Sequence, residues 1–175
     1  MARKNTIAPI FHIGQHCPDQ EIRSIKISSF SEEACTMAEF DENHRHDYYE
    51  IIWLKKGRGV HNIDMMDYPY SGSVIFLLSP GQMHKINPIE KGEGFVVKFS
   101  ASIFTDAKDM DEYILNTCLF NCIQAQPMIK LTSAAHSTFE DILNKMEAEF
   151  NADENDKEKI LLILICFQTL LNPLR

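Results

Sequence analysis

The apolar positions of this chain follow two rhythms. From Ile25 to Phe99 they fall in short clusters broken by Gly, Pro, Asp and Asn, the spacing of strands and turns. From about Thr132 onward they recur every three or four residues, the spacing of helices. Ile7 to Ile13 is a short apolar arm, and Pro9 inside it allows only an edge strand or an extended arm. Within Glu21 to Phe40, Ile25, Ile27 and Ser29 alternate with their neighbours, and so do Cys35, Met37 and Glu39, which predicts two strands. Tyr48 to Leu54 is apolar almost without interruption, as in a strand covered on both faces. Lys55-Lys56-Gly57-Arg58-Gly59 reads as a hairpin turn, Val60 to Ile63 as the returning strand and Asp64 to Asp67 as the next turn. Pro69-Tyr70-Ser71-Gly72 predicts a further break. Val74 to Leu78 is a strong strand ended by Ser79-Pro80-Gly81, and Phe95 to Phe99 is another. Short strands at this spacing predict an antiparallel sandwich or barrel.

After Ala101 the pattern predicts a short helix over Asp109 to Asn121 and a last strand over Met128 to Leu131. Thr132 or Ser133 can cap a helix reaching about Phe150, with Ala135, Phe139, Ile142, Leu143, Met146 and Phe150 on one face. Asn151 to Asp156 is a polar turn. A second helix then runs to about Leu171, started by the capping-box spacing Asn155-Asp156-Lys157-Glu158 and stopped at Asn172-Pro173. This divides the chain into a β-domain over 1–131, with an arm over 1–20, and a helical hairpin over 132–175. The second helix is apolar all round from Ile160 to Phe167, whereas a helix packed on one surface needs only a stripe. A dimer partner is the expected cover, over Ile160, Leu161, Leu164, Ile165, Gln168 and Leu171. The alternative is an internal helix covered by the rest of the chain.

Composition narrows the class. The 175 residues are 45% hydrophobic and 24% charged, as in a soluble globular protein. The formal net charge of −8, with no Lys/Arg-rich run, excludes a nucleic-acid surface within this chain. Five cysteines without a CxxC pair fit a reduced, cytoplasmic protein. No apolar h-region follows the first charged residues, and no apolar run reaches the ~20 residues a membrane span needs.

The candidate chemistry lies in Asn43-His44-Arg45-His46-Asp47-Tyr48-Tyr49-Glu50 and in Ser79-Pro80-Gly81-Gln82-Met83-His84. Residues two apart on a strand share a face, so His44, His46 and Glu50 project together, and His84 on an adjacent strand can complete the set. Imidazoles with a carboxylate suit Fe, Mn, Ni, Co or Zn, and they equally suit a polar small molecule. The same parity turns Tyr48, Ile52 and Leu54 toward the pocket and Tyr49, Ile51 and Trp53 away from it, where the C-terminal helices are expected to cover them. The candidate ligand-binding set is His44, His46, Tyr48, Glu50, Ile52 and His84; the candidate metal set is His44, His46, Glu50 and His84. His61 lies on the neighbouring strand, from which it can reach the pocket, but it is expected at the surface; His12, His16 and His136 are expected exposed or incidental, and the basic turn Lys55, Lys56 and Arg58 solvated.

The run His44-x-His46-x3-Glu50-x6-Gly57 resembles the first motif of the cupin superfamily, and Pro80-Gly81-x2-His84 the second. The motifs depart from the pattern where Ala38 stands for a Gly, where Pro80 and Gly81 are adjacent, and where Pro88 replaces an Asn. Within the superfamily the chain resembles the N-terminal effector domain of AraC-type transcription regulators. That likeness is carried by His44-Arg45-His46-Asp47-Tyr48-Tyr49-Glu50, Gly57-Arg58-Gly59, Gly72-Ser73-Val74-Ile75-Phe76, Pro80-Gly81-Gln82-Met83-His84 and Val97-Lys98-Phe99-Ser100, and it extends from Ile7 to Leu171. The resemblance implies a mainly β fold: a cupin-like antiparallel barrel, related to the jelly roll, followed by an αα-hairpin that dimerises. It implies a small-molecule effector such as a sugar, a homodimer, no catalysis, no required cofactor and no membrane. It also implies that DNA is bound by helix-turn-helix units absent here, so that this chain is one domain of a longer regulator. The arm Ile7 to Ile13 would either lie over the barrel mouth, through Pro9, Phe11 and His12, or form a simple edge strand. A metal-dependent cupin enzyme, an oxygenase or isomerase, is the alternative.

Overall fold

A computed structural model describes residues 8–13, 25–30, 42–100, 120 and 126–151. The chain runs β1 (Ile10–Phe11), β2 (Ile25–Ser29), β3 (Arg45–His46), β4 (Tyr49–Ile63), β5 (Met66–Ser71), β6 (Val74–Leu78), β7 (His84–Phe99), β8 (Met128–Lys130) and helix α1 (Ser133–Asn151). β1 and β3 form a parallel pair. The other six strands form one sheet in the order β2-β7-β4-β6-β8, with β5 also paired to β4. The long β4–β7 pair is its spine: β6 flanks the first half of β4, and β5 flanks the second.

The segment Lys55 to Gly59 does not turn. β4 passes through it as a single strand, and the expected hairpin becomes three register shifts against β7, between Leu54 and Lys56, Lys56 and Arg58, and Arg58 and Gly59. The glycines are needed for that irregularity. Gly57 has φ +126°, a conformation side chains rarely adopt, and a Cβ on Gly59 would lie 2.6 Å from the Tyr70 hydroxyl. Glu93 and Glu90 across the strand pair with Lys56 and Arg58 at 2.8 and 3.0 Å at the surface. The turn comes later, at Asp64-Met65, both in the left-handed region (φ 48° and 68°), the geometry of a two-residue hairpin. The break expected at Pro69 is strand β5 instead. It pairs with β4, and Pro69 is tolerated because β5 lies at an edge.

Two apolar layers follow from strand parity. On one face Ile51, Trp53, Ile75, Leu77, Phe95, Val97 and Phe99 pack against Phe139, Ile142, Leu143 and Met146 of α1. This is the cover expected over Trp53, which is fully buried. Thr132 caps α1, its hydroxyl accepting from the Ala135 amide at 3.3 Å. Two side chains expected at the surface instead fasten the helix: Lys55 bonds Glu140, and His136 lies 3.0 Å from Ser73 Oγ with its ring on Trp53. On the other face Ile52, Leu54, Val74, Phe76, Leu78 and Val96, in or beside the first half of β4, meet Ile63, Tyr70 and Ile86, in or beside its second half. For those halves to meet, the sheet must curl. Among the described residues it stays open and does not close into a hydrogen-bonded barrel. The strand over 35–40, the helix over 109–121 except Phe120, the second helix of the hairpin with Ile160, Leu161, Leu164, Ile165, Gln168 and Leu171, and His16 lie outside the described residues.

A non-glycine residue in the left-handed region costs of order 1 kcal/mol or more. Met65 is also 80% exposed, so its side chain has little packing to lose. Met65→Gly should therefore raise stability by about 0.5–1 kcal/mol in urea unfolding; a loss would show that the Met65 side chain contributes contacts the turn needs.

Candidate functional site

Glu50 opens β4 and sits opposite Leu78 and Lys98, whereas His84 opens β7 opposite Ile63, thirteen residues further along β4. On a straight strand that separation is roughly 43 Å. Their side chains nevertheless meet, Glu50 Oε2 lying 3.8 Å from His84 Nε2. The curl of the spine therefore creates the site. Backbone bonds hold the seam: His44 and His84 exchange N–H···O bonds of 3.0 and 2.9 Å, and the Gly81 amide donates to the His46 carbonyl at 2.8 Å. Asp64 ties the β4–β5 turn to the loop before His84, accepting from the Met83 amide at 2.9 Å and from Gln82 Nε2 at 3.0 Å.

Of the six candidate ligand residues, His44, His46, Tyr48, Glu50 and His84 come together, all buried, while Ile52 joins the apolar layer on the same face. His46 Nδ1 lies 2.6 Å from the Tyr48 carbonyl oxygen, and its ring stacks on Tyr48 at 4.4 Å. His44 Nδ1 lies 3.1 Å from the Glu42 carbonyl oxygen. A carbonyl only accepts, so each ring carries its proton on Nδ1 and presents a lone pair at Nε2. His46 Nε2 lies 3.7 Å from Glu50 Oε2. Ligand atoms of His46, Glu50 and His84 lie within 4.8 Å of one another. Among the described residues, His46 Nε2 and His84 Nε2 are buried with no hydrogen-bond partner. His46 Nε2, and His84 Nε2 when the His84 proton sits on Nδ1, give two imidazole donors beside a carboxylate, a set that fits a divalent cation. His44 is the fourth candidate ligand, its ring 4.2 Å from that of His84.

Two further residues belong to the cluster. His61, expected at the surface, is fully buried, with Nε2 3.0 Å from His84 Nδ1 and its ring on Phe76. Lys98 is buried, its Nζ 3.9 Å from Glu50 Oε1 and 5.7 Å from the Tyr48 ring centre. His61 escapes strand parity because the irregularity at Lys55–Gly59 reverses which face odd-numbered residues take. Lys98 reads as the solvent-facing member of an alternating strand, and only the register opposite Glu50 reveals it. The arm forms the edge strand that the sequence allowed. It lies on β3, with Pro9 and Phe11 carbonyls accepting from the Arg45 and Asp47 amides, and its Phe11 ring is edge-on to His44 at 5.4 Å. His12, at the surface, pairs with Asp47 at 2.6 Å.

Burial holds every imidazole of the cluster neutral at pH 7. It lowers His46 to about 4 and His61 to about 3, and it lowers His44 and, further, His84. Neutral rings keep their lone pairs available to a cation or a ligand hydroxyl.

The fold is thus a curled antiparallel sheet with a buried polar cluster at its seam and a helix on its outer face. The chain matches the AraC-like ligand binding domain over residues 27–164 and belongs to that family. No curated protein matches it in sequence. Among solved structures it is similar to apo ToxT from Vibrio cholerae, at 13% identity and TM-score 0.49, over 86% of this chain and 57% of that one. It is similar to the AraC-like transcriptional activator CuxR at 12% identity and TM-score 0.44, over 72% of this chain and 42% of that one. ToxT bound to (E)-4-(8-methylnaphthalen-1-yl)but-3-enoic acid matches at 15% identity and TM-score 0.41, over 86% and 58%. The chain thus spans little more than half the length of ToxT. Among the described residues no helix is long and apolar enough to cross a membrane.

The lowered imidazoles fix the direction of the acid response. The unfolded chain binds protons at the ordinary histidine pKa near 6.5, and the folded chain only below it, so stability is full above pH 6.5 and falls as the pH drops toward 4. By pH 5 the loss is about 2 kcal/mol each for His46 and His61 taken singly. Urea unfolding at pH 7.5 and pH 5 should show this loss, and His61→Phe should reduce it; a flat response would mean that the imidazoles are solvated.

Proposed function

We propose that this chain senses a small polar molecule at the seam of its curled sheet and relays binding to the DNA-binding part of an AraC-type regulator. The observation that supports this reading is the buried cluster of His44, His46, Tyr48, Glu50, His61, His84 and Lys98 on a face otherwise lined by Ile, Leu, Val and Phe. Burying such groups costs stability unless their hydrogen-bonding capacity is filled. The two imidazole Nε2 atoms without a partner point to a bound group that fills it. His46, Glu50 and His84, with His44 beside them, would hold a divalent cation such as Zn, Ni, Mn or Fe. The cation would act as a Lewis acid that anchors oxygen atoms of the effector, a sugar or another hydroxyl-rich molecule. Tyr48 and Lys98 line the same space, and Ile52 forms part of its apolar wall. The arm, which contacts both His44 and Asp47, is placed to transmit occupancy.

The division at residue 131, with the helices of 132–175 pairing two copies, belongs to the same proposal. Its support is the apolar circumference of Ile160 to Phe167. On this reading Ile160, Leu161, Leu164, Ile165, Gln168 and Leu171 face the second copy, and the effector changes how the two DNA-binding halves are spaced.

Two measurements test this. Chelator-stripped protein, given a cation or a member of a sugar panel at about a hundred times its dissociation constant, should melt on the order of 5–10 °C higher, and His46→Ala should abolish the shift. If none of the cations or sugars moves the transition, the cluster is not a binding site. For the dimer, sedimentation should show two copies for the wild type and one for Leu164→Glu; a monomeric wild type would remove the dimer from the account.

A further inference from the structure

His61 lies outside both motifs that mark the site, yet its ring touches the site at one atom, His84 Nδ1, at 3.0 Å. The two rings are fully buried, and among the described residues neither outer nitrogen, His61 Nδ1 or His84 Nε2, has a hydrogen-bond partner. Two neutral imidazoles share the single N–H···N bond between them in either of two ways. When His61 Nε2 carries the bridging proton, His84 is protonated at Nε2 and turns an N–H toward Glu50. When His84 Nδ1 carries it, His84 Nε2 presents a lone pair toward Glu50 and His46, and His61 is protonated at Nδ1. Both arrangements hold two protons in total and differ only in where they sit. Each leaves one buried donor and one buried acceptor unmatched, so the rings alone favour neither strongly.

We infer that His61 is a positioning residue that lets His84 switch between these arrangements, and that a divalent cation selects the second. The inference rests on the reading of His46, Glu50 and His84 as a cation site. A cation needs the lone pair at His84 Nε2. The proton displaced from that nitrogen is matched by one gained at His61 Nδ1 through exchange with solvent, and the bridging proton moves from His61 Nε2 to His84 Nδ1. His46 needs no such partner, because the Tyr48 carbonyl already holds its proton on Nδ1. His84 is the ligand whose donor or acceptor character is left open, and His61 closes it. Partners of this kind, one bond behind a ligand, typically change metal affinity 10–100-fold.

The test uses the full chain, stripped of metal, and zinc as the probe. Zinc affinity is read by calorimetry, and the protonated nitrogen of each ring by 15N NMR. In the wild type, zinc should move the His61 proton from Nε2 to Nδ1, although His61 does not itself bind the ion. His61→Phe removes the acceptor and should weaken zinc binding 10–100-fold, whereas His61→Gln, which keeps an acceptor oxygen, should stay within roughly threefold of wild type. Near-ultraviolet circular dichroism of Trp53 verifies that each variant is folded, and the wild-type NMR result stands without either variant. If zinc binds with the His61 proton unmoved, or if His61→Phe binds as tightly as wild type, the inference falls and the cation site remains. If the wild type binds no zinc, both fall together.

Discussion

The structure depends on one constraint, the curl of the β4–β7 spine. Straight, this pair would hold Glu50 and the His84 end of the site roughly 40 Å apart. Curled, it closes them to contact and encloses Ile52, Leu54, Phe76 and Val96 with Ile63, Tyr70 and Ile86. The three register shifts between Leu54 and Gly59 lie at its middle, and irregularities of this kind bend a strand and increase its twist. The same shifts reverse strand parity, so one local feature both brings the ends of the spine together and turns His61 inward. Helix α1 backs the outer face, where Phe139, Leu143 and Met146 are fully buried against Trp53 and its neighbours.

The second consequence is electrostatic. Inside the curl, one carboxylate and one ammonium lie opposite each other in register, Glu50 with Lys98, among four imidazoles held neutral by burial. Such a set is costly to bury and weak as a source of stability. Backbone carbonyls behind His44 and His46 orient their lone pairs, and Phe11 of the short arm lies edge-on to His44. Imidazole lone pairs of this kind can accept from an organic hydroxyl or coordinate a cation.

Much of this was legible in the sequence, and the exceptions have physical reasons. Alternation from His44 to Leu54 places His46, Tyr48, Glu50 and Ile52 on one face and Ile51 and Trp53 on the other, because that half of β4 is regular. The 3.6-residue spacing of Phe139, Ile142, Leu143 and Met146 gives the buried face of α1. Gly57-Arg58-Gly59 misleads because glycine pairs serve bulges as well as turns, and nothing local separates the two. Pro69 misleads because edge strands tolerate it. Lys98 stays hidden, and His61 is not decided between pocket and surface, because both depend on register, a long-range property that propensity does not carry.

The most direct test of the account is X-ray absorption at the zinc edge of the full chain loaded with one equivalent of metal. The account predicts at least two histidine nitrogens with carboxylate oxygen around the ion, and loss of one imidazole contribution in His46→Ala. A spectrum with no imidazole scattering, or one unchanged by His46→Ala, would contradict it.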